Sequence, residues 1–324
     1  MDTKMLAQMN KSGIFYILIG ICFVLFLFTK SPVFGVLVAI FIISLLLVEA
    51  LAGAKEHGVK KEIWETFIAL LAALVAWYAF SFLLGTSAPL NGIVTCSMLP
   101  NLERGDMVVL QGGEVKAETL QVSASDFERL KEPDTLVRYE GGSLEVNGSM
   151  FAYCTQKTEN SALCGQFVQE PEKFSEERGA FSFSYKKCPV KLEGGQTGYT
   201  PCIDKIEYDG KSVAFDKRND IIVYAPSAGE LYSPNDIIHR AFVSIESEGK
   251  KYYITRGDNN VIADIQAYNY ANGKFNLPPL HEQVKGKVLV RLPYVGYFKL
   301  FISVFQIGDL AFVEPQGCKS VLGS

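Results

Sequence analysis

Hydrophobic and polar positions are distributed unevenly along the chain. No Asp, Glu, Lys or Arg occurs from Ser12 to Thr29, from Ser31 to Val48, or from Thr66 to Leu102, whereas charges are frequent from Glu103 onward. A helix needs about 20 mostly apolar residues to cross a hydrocarbon core roughly 30 Å thick. The pattern predicts three transmembrane helices, at about 13–29, 33–53 and 64–85, within a membrane domain over residues 1–88. One such stretch alone would fit a buried core helix; three in succession favour a bilayer. A cleaved signal peptide fits poorly, because further spans follow the first and no small-residue cleavage site stands out before Lys30. Lys4 and Lys11 precede the first span, and Lys55, Lys60 and Lys61 sit between the second and third. Short loops rich in Lys face the cytoplasm, so the N-terminus and the 54–63 loop belong inside and everything after Gly85 outside.

Beyond Asn91 the periodicity changes. Short β-type runs separated by turn residues appear at 106–110, 221–224, 237–245, 252–255 and 286–292, the last ended by Pro293. They predict a mainly-β extracytoplasmic domain over 89–111 and 219–293. Alternation such as Phe181-Ser182-Phe183-Ser184-Tyr185 marks residues 112–218 as an inserted β-rich subdomain. The tail, 294–324, is apolar from Val295 to Val313 but carries Lys299 and Asp309. It reads as a helix at the membrane interface or packed on the β domain, since burying either charge at mid-bilayer costs roughly 2.5 to 3.5 kcal/mol.

The net charge of −4 excludes a chain-wide basic surface of the kind that drives nucleic-acid binding, leaving room only for a local patch, and nucleic acid is not expected as a partner. Of seven cysteines, Cys154, Cys164, Cys188 and Cys202 fall in the insertion. An even set on the outer side fits two disulfides; free thiols and a four-thiolate zinc site are the alternatives, the latter without the usual close Cys-x-x-Cys pairs. Asn147-Gly148-Ser149 is a glycosylation sequon. No cofactor or metal is expected.

Three histidines occur: His57 in the inner loop, His281 beside paired prolines, and His239 at a strand-like run. A serine hydroxyl needs a base to take its proton, and an imidazole base works best when a carboxylate orients it. Ser97, in the turn after the third span, His239, and Asp258 or Asp264 supply those types on one side of the membrane.

Ser97-Met98-x-Pro100, Arg104-Gly105-Asp106, Asp220 to Tyr224, Ile238-His239-Arg240, Tyr253 to Asn260 and Gly286 to Gly296 resemble, in order, the boxes of type I signal peptidases. His239 where bacterial members carry lysine is similar to the archaeal and endoplasmic-reticulum branch. The match spans about 94–111 and 218–296. It implies a signal-peptidase-like β fold with Ser97 as nucleophile, His239 as general base and Asp258 and Asp264 as acidic partners, Asp264 being favoured against the imidazole. Thr95 would assist the oxyanion hole alongside the Ser97 amide, each such donor contributing about 3 kcal/mol, and Met98 would pack beneath the nucleophile. The implied substrates are preproteins bearing signal peptides, bound as an added strand. The implied setting is a lipid bilayer, an archaeal-type cell membrane or the endoplasmic reticulum, with the translocon or accessory subunits as further partners.

Cys96 replaces a customary glycine beside the nucleophile, where it would narrow the pocket or add a reactive thiol, and Asn219 replaces another glycine as a turn change. The insertion and the first two spans exceed the compact form of the family. Rival readings are adhesion through Arg104-Gly105-Asp106 or Arg256-Gly257-Asp258, a membrane-held module that has lost catalysis, and a peptidase dedicated to a narrow precursor class such as pilin-like proteins.

Overall fold

The computed structural model describes residues 13–29, 32–157, 160–191 and 196–296. These divide into two compact units: one is built on the N-terminal helices with 105–107 and 292–296, the other on 84–104 and 108–291. All but Val295 and Gly296 of the predicted tail helix at 295–313, together with Cys318, Lys4, Lys11 and Lys30, lie outside the described residues.

In the first unit, helices α1 (Ile14–Thr29), α2 (Pro32–His57) and α3 (Val59–Leu84) fall where the uncharged stretches do. One of them, α3, is long and apolar enough to cross a membrane. Its 26 residues reach about 39 Å at 1.5 Å per residue, none of them is buried, and Trp64, Phe67, Leu71, Trp77, Tyr78 and Phe82 are exposed around it. A helix with apolar side chains exposed all round it, none covered among the described residues, suits a lipid surrounding. The apolar parts of the other two are shorter, Ile14–Phe26 and Ile40–Ala54. They pack together through Phe15, Ile19, Phe41, Leu45 and Val48. The expected 54–63 loop is instead helical apart from Gly58, which takes the left-handed conformation (φ +85°) between α2 and α3. Polar side chains there had signalled a loop, but Lys, Glu and Ala are good helix formers.

The second unit is mostly β. One sheet runs β1 (Leu90–Gly92), β2 (Met107–Gln111), β15 (Val284–Leu292), β10 (Ile221–Tyr224), β11 (Ile237–Ser247) and β12 (Lys250–Arg256). The neighbouring pairs from β15 through β12 are antiparallel, and the strands fall close to the predicted runs. A short strand, β3 (Thr119–Gln121), lies parallel beside the second half of β11.

The 112–218 segment folds largely into a second sheet, in the order β5 (Gly142–Asn147), β4 (Asp134–Tyr139), β6 (Ser175–Arg178), β7 (Phe181–Lys191), β8 (Thr197–Tyr208) and β9 (Lys211–Ala214). Three helices accompany it: α4 (Ala124–Lys131), capped by Ser123, α5 (Met150–Gln156), capped by Ser149, and α6 (Ser161–Gln169). Two small strands, β13 (Tyr268–Asn269) and β14 (Lys274–Phe275), complete the unit. Cys154 is bonded to Cys164 between α5 and α6, and Cys188 to Cys202 between β7 and β8.

The two sheets share one core, in which Phe181, Phe183, Ile203 and Ile206 of the second meet Phe242, Val243, Ile245 and Ile254 of the first. Within the 112–218 segment a further cluster is buried, of Val137, Val146, Met150, Tyr153, Phe167, Phe174 and Tyr185, while β3 pairs in the first sheet and burial of apolar area joins the two sheets.

Buried polar groups also cross this interface. Glu176 on β6 accepts hydrogen bonds from Met150 N at 2.7 Å, Gln266 Nε2 at 2.7 Å and Tyr185 Oη. Burial raises its pKa above the ordinary 4.5, against the pull of those donors. Folded protein thus keeps a proton that the unfolded chain releases, and this contribution to stability is complete below about pH 4.5 and lost as pH rises toward the raised value. Melting temperatures of the parent and Glu176→Gln, measured across pH, should therefore diverge, the parent losing ground relative to the variant over that window. A constant difference would contradict the assignment.

Candidate functional site

Strand alternation decides which side chains can meet. His239 stands opposite Ile222, and Tyr224 opposite Ile237, in the β10–β11 ladder, while Ala241 stands opposite Thr255 in the β11–β12 ladder. Positions two apart share a face, so Tyr224, His239 and Thr255 project from one face of the sheet and Arg240 from the other.

Beyond β12 the chain returns over the first of these faces as a 3₁₀ turn, Asp264–Gln266. His239 Nδ1 lies 2.7 Å from Asp264 Oδ2 and donates to it, since a carboxylate only accepts. Thr255 Oγ1 donates to the same oxygen at 2.6 Å and Tyr224 Oη at 3.1 Å. Both His239 and Asp264 are buried, at 5% and 1% exposure. Burial, reinforced by the Asp264 charge, drives the Tyr224 pKa well above the ordinary value, so this hydroxyl remains a donor. Tyr232 stands edge-on to the imidazole with ring centroids 6.5 Å apart. With Nδ1 occupied, Nε2 is the nitrogen left to exchange a proton.

Asp258 does something else. Arg240 Nε and Nη2 grip its two oxygens at 2.7 and 2.6 Å, and Asn101 Nδ2 donates at 2.6 Å. Arg240 also donates through Nη1 to the Lys217 and Asn219 carbonyls. This buried bidentate pair ties the 101 turn and the 217–219 turn to β11. Removing one member leaves an uncompensated buried charge, which costs about 3 to 5 kcal/mol. Asp258→Ala should therefore lower the melting temperature by many degrees, and an unchanged melting curve would contradict the structural role.

Ser97 sits in the turn before β2. Its Oγ is 3.2 Å from Thr95 Oγ1, and it makes no hydrogen bond to the His239 ring. The Gly-Asp-Asn-Asn turn fixes this loop: Asn259 N donates to Ser97 O at 2.8 Å and Asn259 Nδ2 to Cys96 O at 3.1 Å. A Cβ on Gly257 would meet Ser97 O at 2.6 Å, which explains glycine there. Met98 is buried in a cluster with Val108, Leu110, Val223 and Ile238, anchoring the residue after Ser97 beside the strand pair that carries His239.

The structure thus brings His239 to Asp264 and Thr95 to Ser97, and assigns Asp258 to Arg240. Cys96 is disulfide-bonded and holds no reactive thiol. Asn219, expected as a neutral turn change, is buried and donates to the Ala241 and Phe242 carbonyls at 3.0 and 3.1 Å. His281 Nδ1 pairs with Tyr253 Oη at 2.7 Å. Among the described residues no group of three His, Cys, Asp or Glu side chains could hold a metal ion. The roles of Tyr224 and Thr255 on Asp264 were not foreseen; both lie in the quoted sequence boxes, but only the ladder register aligns them.

A mostly-β unit with an imidazole on a buried carboxylate, and a serine–threonine hydroxyl pair in the same unit, carries the equipment of general acid–base chemistry. The chain is similar to the Signal peptidase complex catalytic subunit SEC11 of Eremothecium gossypii, 29% identical over 111 residues, which cover 34% of this chain and 62% of that protein. The subunit of the same name from Saccharomyces cerevisiae (strain YJM789) is 30% identical over 110 residues, with the same shares covered. The chain thus spans less than two thirds of the length of the curated relatives it matches. No family model matches it, and no solved structure does.

Proposed function

We propose that this chain is a membrane-held serine endopeptidase that removes N-terminal signal peptides from exported proteins. The observation that carries this reading is the buried His239–Asp264 pair, with His239 on a strand of the same sheet as β2, the strand that follows the Ser97 turn. In the proposed reaction Ser97 Oγ attacks the scissile carbonyl while His239 Nε2 takes its proton and later delivers it to the departing amine. Asp264 holds the tautomer that leaves Nε2 free and stabilises the imidazolium. The Ser97 amide and Thr95 hydroxyl receive the oxyanion. Water then hydrolyses the acyl-enzyme, with His239 again acting as base. The Ser97–His239 hydrogen bond forms in the complex with substrate, where catalytic hydrogen bonds tighten.

The same reading gives the chain three membrane crossings, with a cytoplasmic N-terminus and the β unit outside, in an archaeal-type cell membrane or the endoplasmic reticulum. Its relatives are named as subunits of a complex, so accessory subunits and the translocon are proposed partners. The test is cleavage of a signal-peptide-bearing precursor by the full chain in liposomes. Cleavage at the signal-peptide boundary, lost in Ser97→Ala and His239→Ala but kept in His281→Ala, supports the reading; cleavage that survives Ser97→Ala sinks it.

A further inference from the structure

Asp264 sits in the turn Asp264–Gln266, and both flanks of that carboxylate are held from the second sheet. Glu176 and Arg178 lie two residues apart on β6, so they share a face, and each is almost wholly buried, at 0% and 2% exposure. Arg178 Nη1 donates to Ile265 O at 2.7 Å, while its Nη2 and Nε donate to Gly148 O at 2.6 Å and Thr135 Oγ1 at 2.8 Å. Glu176 Oε2 accepts from Gln266 Nε2 at 2.7 Å, and Gln266 Oε1 accepts in turn from Ala263 N at 3.0 Å. The residue before Asp264 and the two after it are therefore tied, directly or through one side chain, to β6.

Joining the two sheets does not require this arrangement, because the shared apolar core already does so. Buried polar and ionisable groups are costly unless hydrogen-bonded, and their geometry is exacting. Here they converge on the Ile265 carbonyl and the Gln266 side chain, the two residues that follow one carboxylate.

We propose that Glu176 and Arg178 are positioning residues that fix Asp264 and, through it, the His239 ring, so that the segment 112–218 is part of the catalytic machinery. The inference rests on the reading of His239 and Asp264 as the proton-transfer pair.

The experiment compares kcat and KM for precursor cleavage by the full chain in liposomes. In Glu176→Gln an amide donor faces the Gln266 amide, and in Gln266→Glu two carboxylates face each other. The exchange of both, Glu176→Gln with Gln266→Glu, restores one donor and one acceptor. Each single variant is expected to lower kcat about tenfold or more with KM within about twofold of the parent, since small misplacements of catalytic groups act on the chemical step. The exchange should recover most of the loss. Should a single variant fail to fold, Thr135→Val removes one Arg178 acceptor more gently, with an expected kcat loss of about threefold or more. Asp264→Asn is assayed in parallel. A large loss there beside parental kcat in the folded positioning variants, or singles whose loss the exchange does not relieve, overturns this proposal alone. Parental kcat in Asp264→Asn overturns the reading beneath it.

Discussion

Ser97→Ala is expected to lower kcat for precursor cleavage by about 10⁴- to 10⁶-fold, the scale on which serine hydrolases lose activity when the nucleophile is removed. The loss should come without a loss of fold. The Ser97 hydroxyl touches Thr95 Oγ1, while the loop is held through the Ser97 carbonyl, the Cys96 carbonyl and the buried Met98 side chain, none of which the substitution alters. Melting temperature should therefore stay within a degree or two, as for most substitutions that leave packing intact. A variant that keeps even a tenth of parental kcat would mean that Ser97 is not the nucleophile.

Substitution of the two acidic candidates separates chemistry from architecture. Asp264→Asn should lower kcat by about 10⁴-fold, because an amide can donate to Nδ1 and so stabilise the tautomer in which Nε2 carries the proton and cannot act as a base. Thr255 and Tyr224 would still pack around it, so the protein should remain folded. Asp258→Asn keeps an acceptor for Arg240 and removes nothing from the His239 ring. Its defect should be mainly in stability, with kcat of the folded fraction within about tenfold of the parent. Kinetics on matched folded fractions check both. Equal losses in kcat, or the larger loss in Asp258→Asn, would reverse the assignment.

The strands of the first sheet were legible because alternation of apolar and polar positions has a period of two and turn residues bound it; 221–224 and 237–245 fall within or on β10 and β11. The helices were legible because uncharged stretches of that length are rare outside membranes and cores. What could not be read was register. Strand alternation places His239, Tyr224 and Thr255 on one face only once the partners Ile222, Ile237 and Ala241 are known. Asp258 and Asp264 both follow β12 within a few residues, and spacing alone could not tell the one that turns back over the histidine face from the one that meets Arg240. Disulfide pairing was likewise open, since four cysteines allow three connectivities. The long segment 112–218 was legible as β-rich, but its shared core was not, because apolar residues such as Phe183 and Phe242 lie far apart in sequence and announce no partner.

Ser97 and His239 are proposed to act as one catalytic unit, although Ser97 is paired with Thr95 and His239 with Asp264 in the structure. The most direct measurement is a double-mutant cycle on precursor cleavage, using Ser97→Ala, His239→Ala and both together, followed over incubations long enough to detect residual product. Each single variant is expected to be as impaired as the double, because removing either member disables the unit. Losses that multiply, leaving the double far below either single variant, would show two residues acting independently and would contradict it.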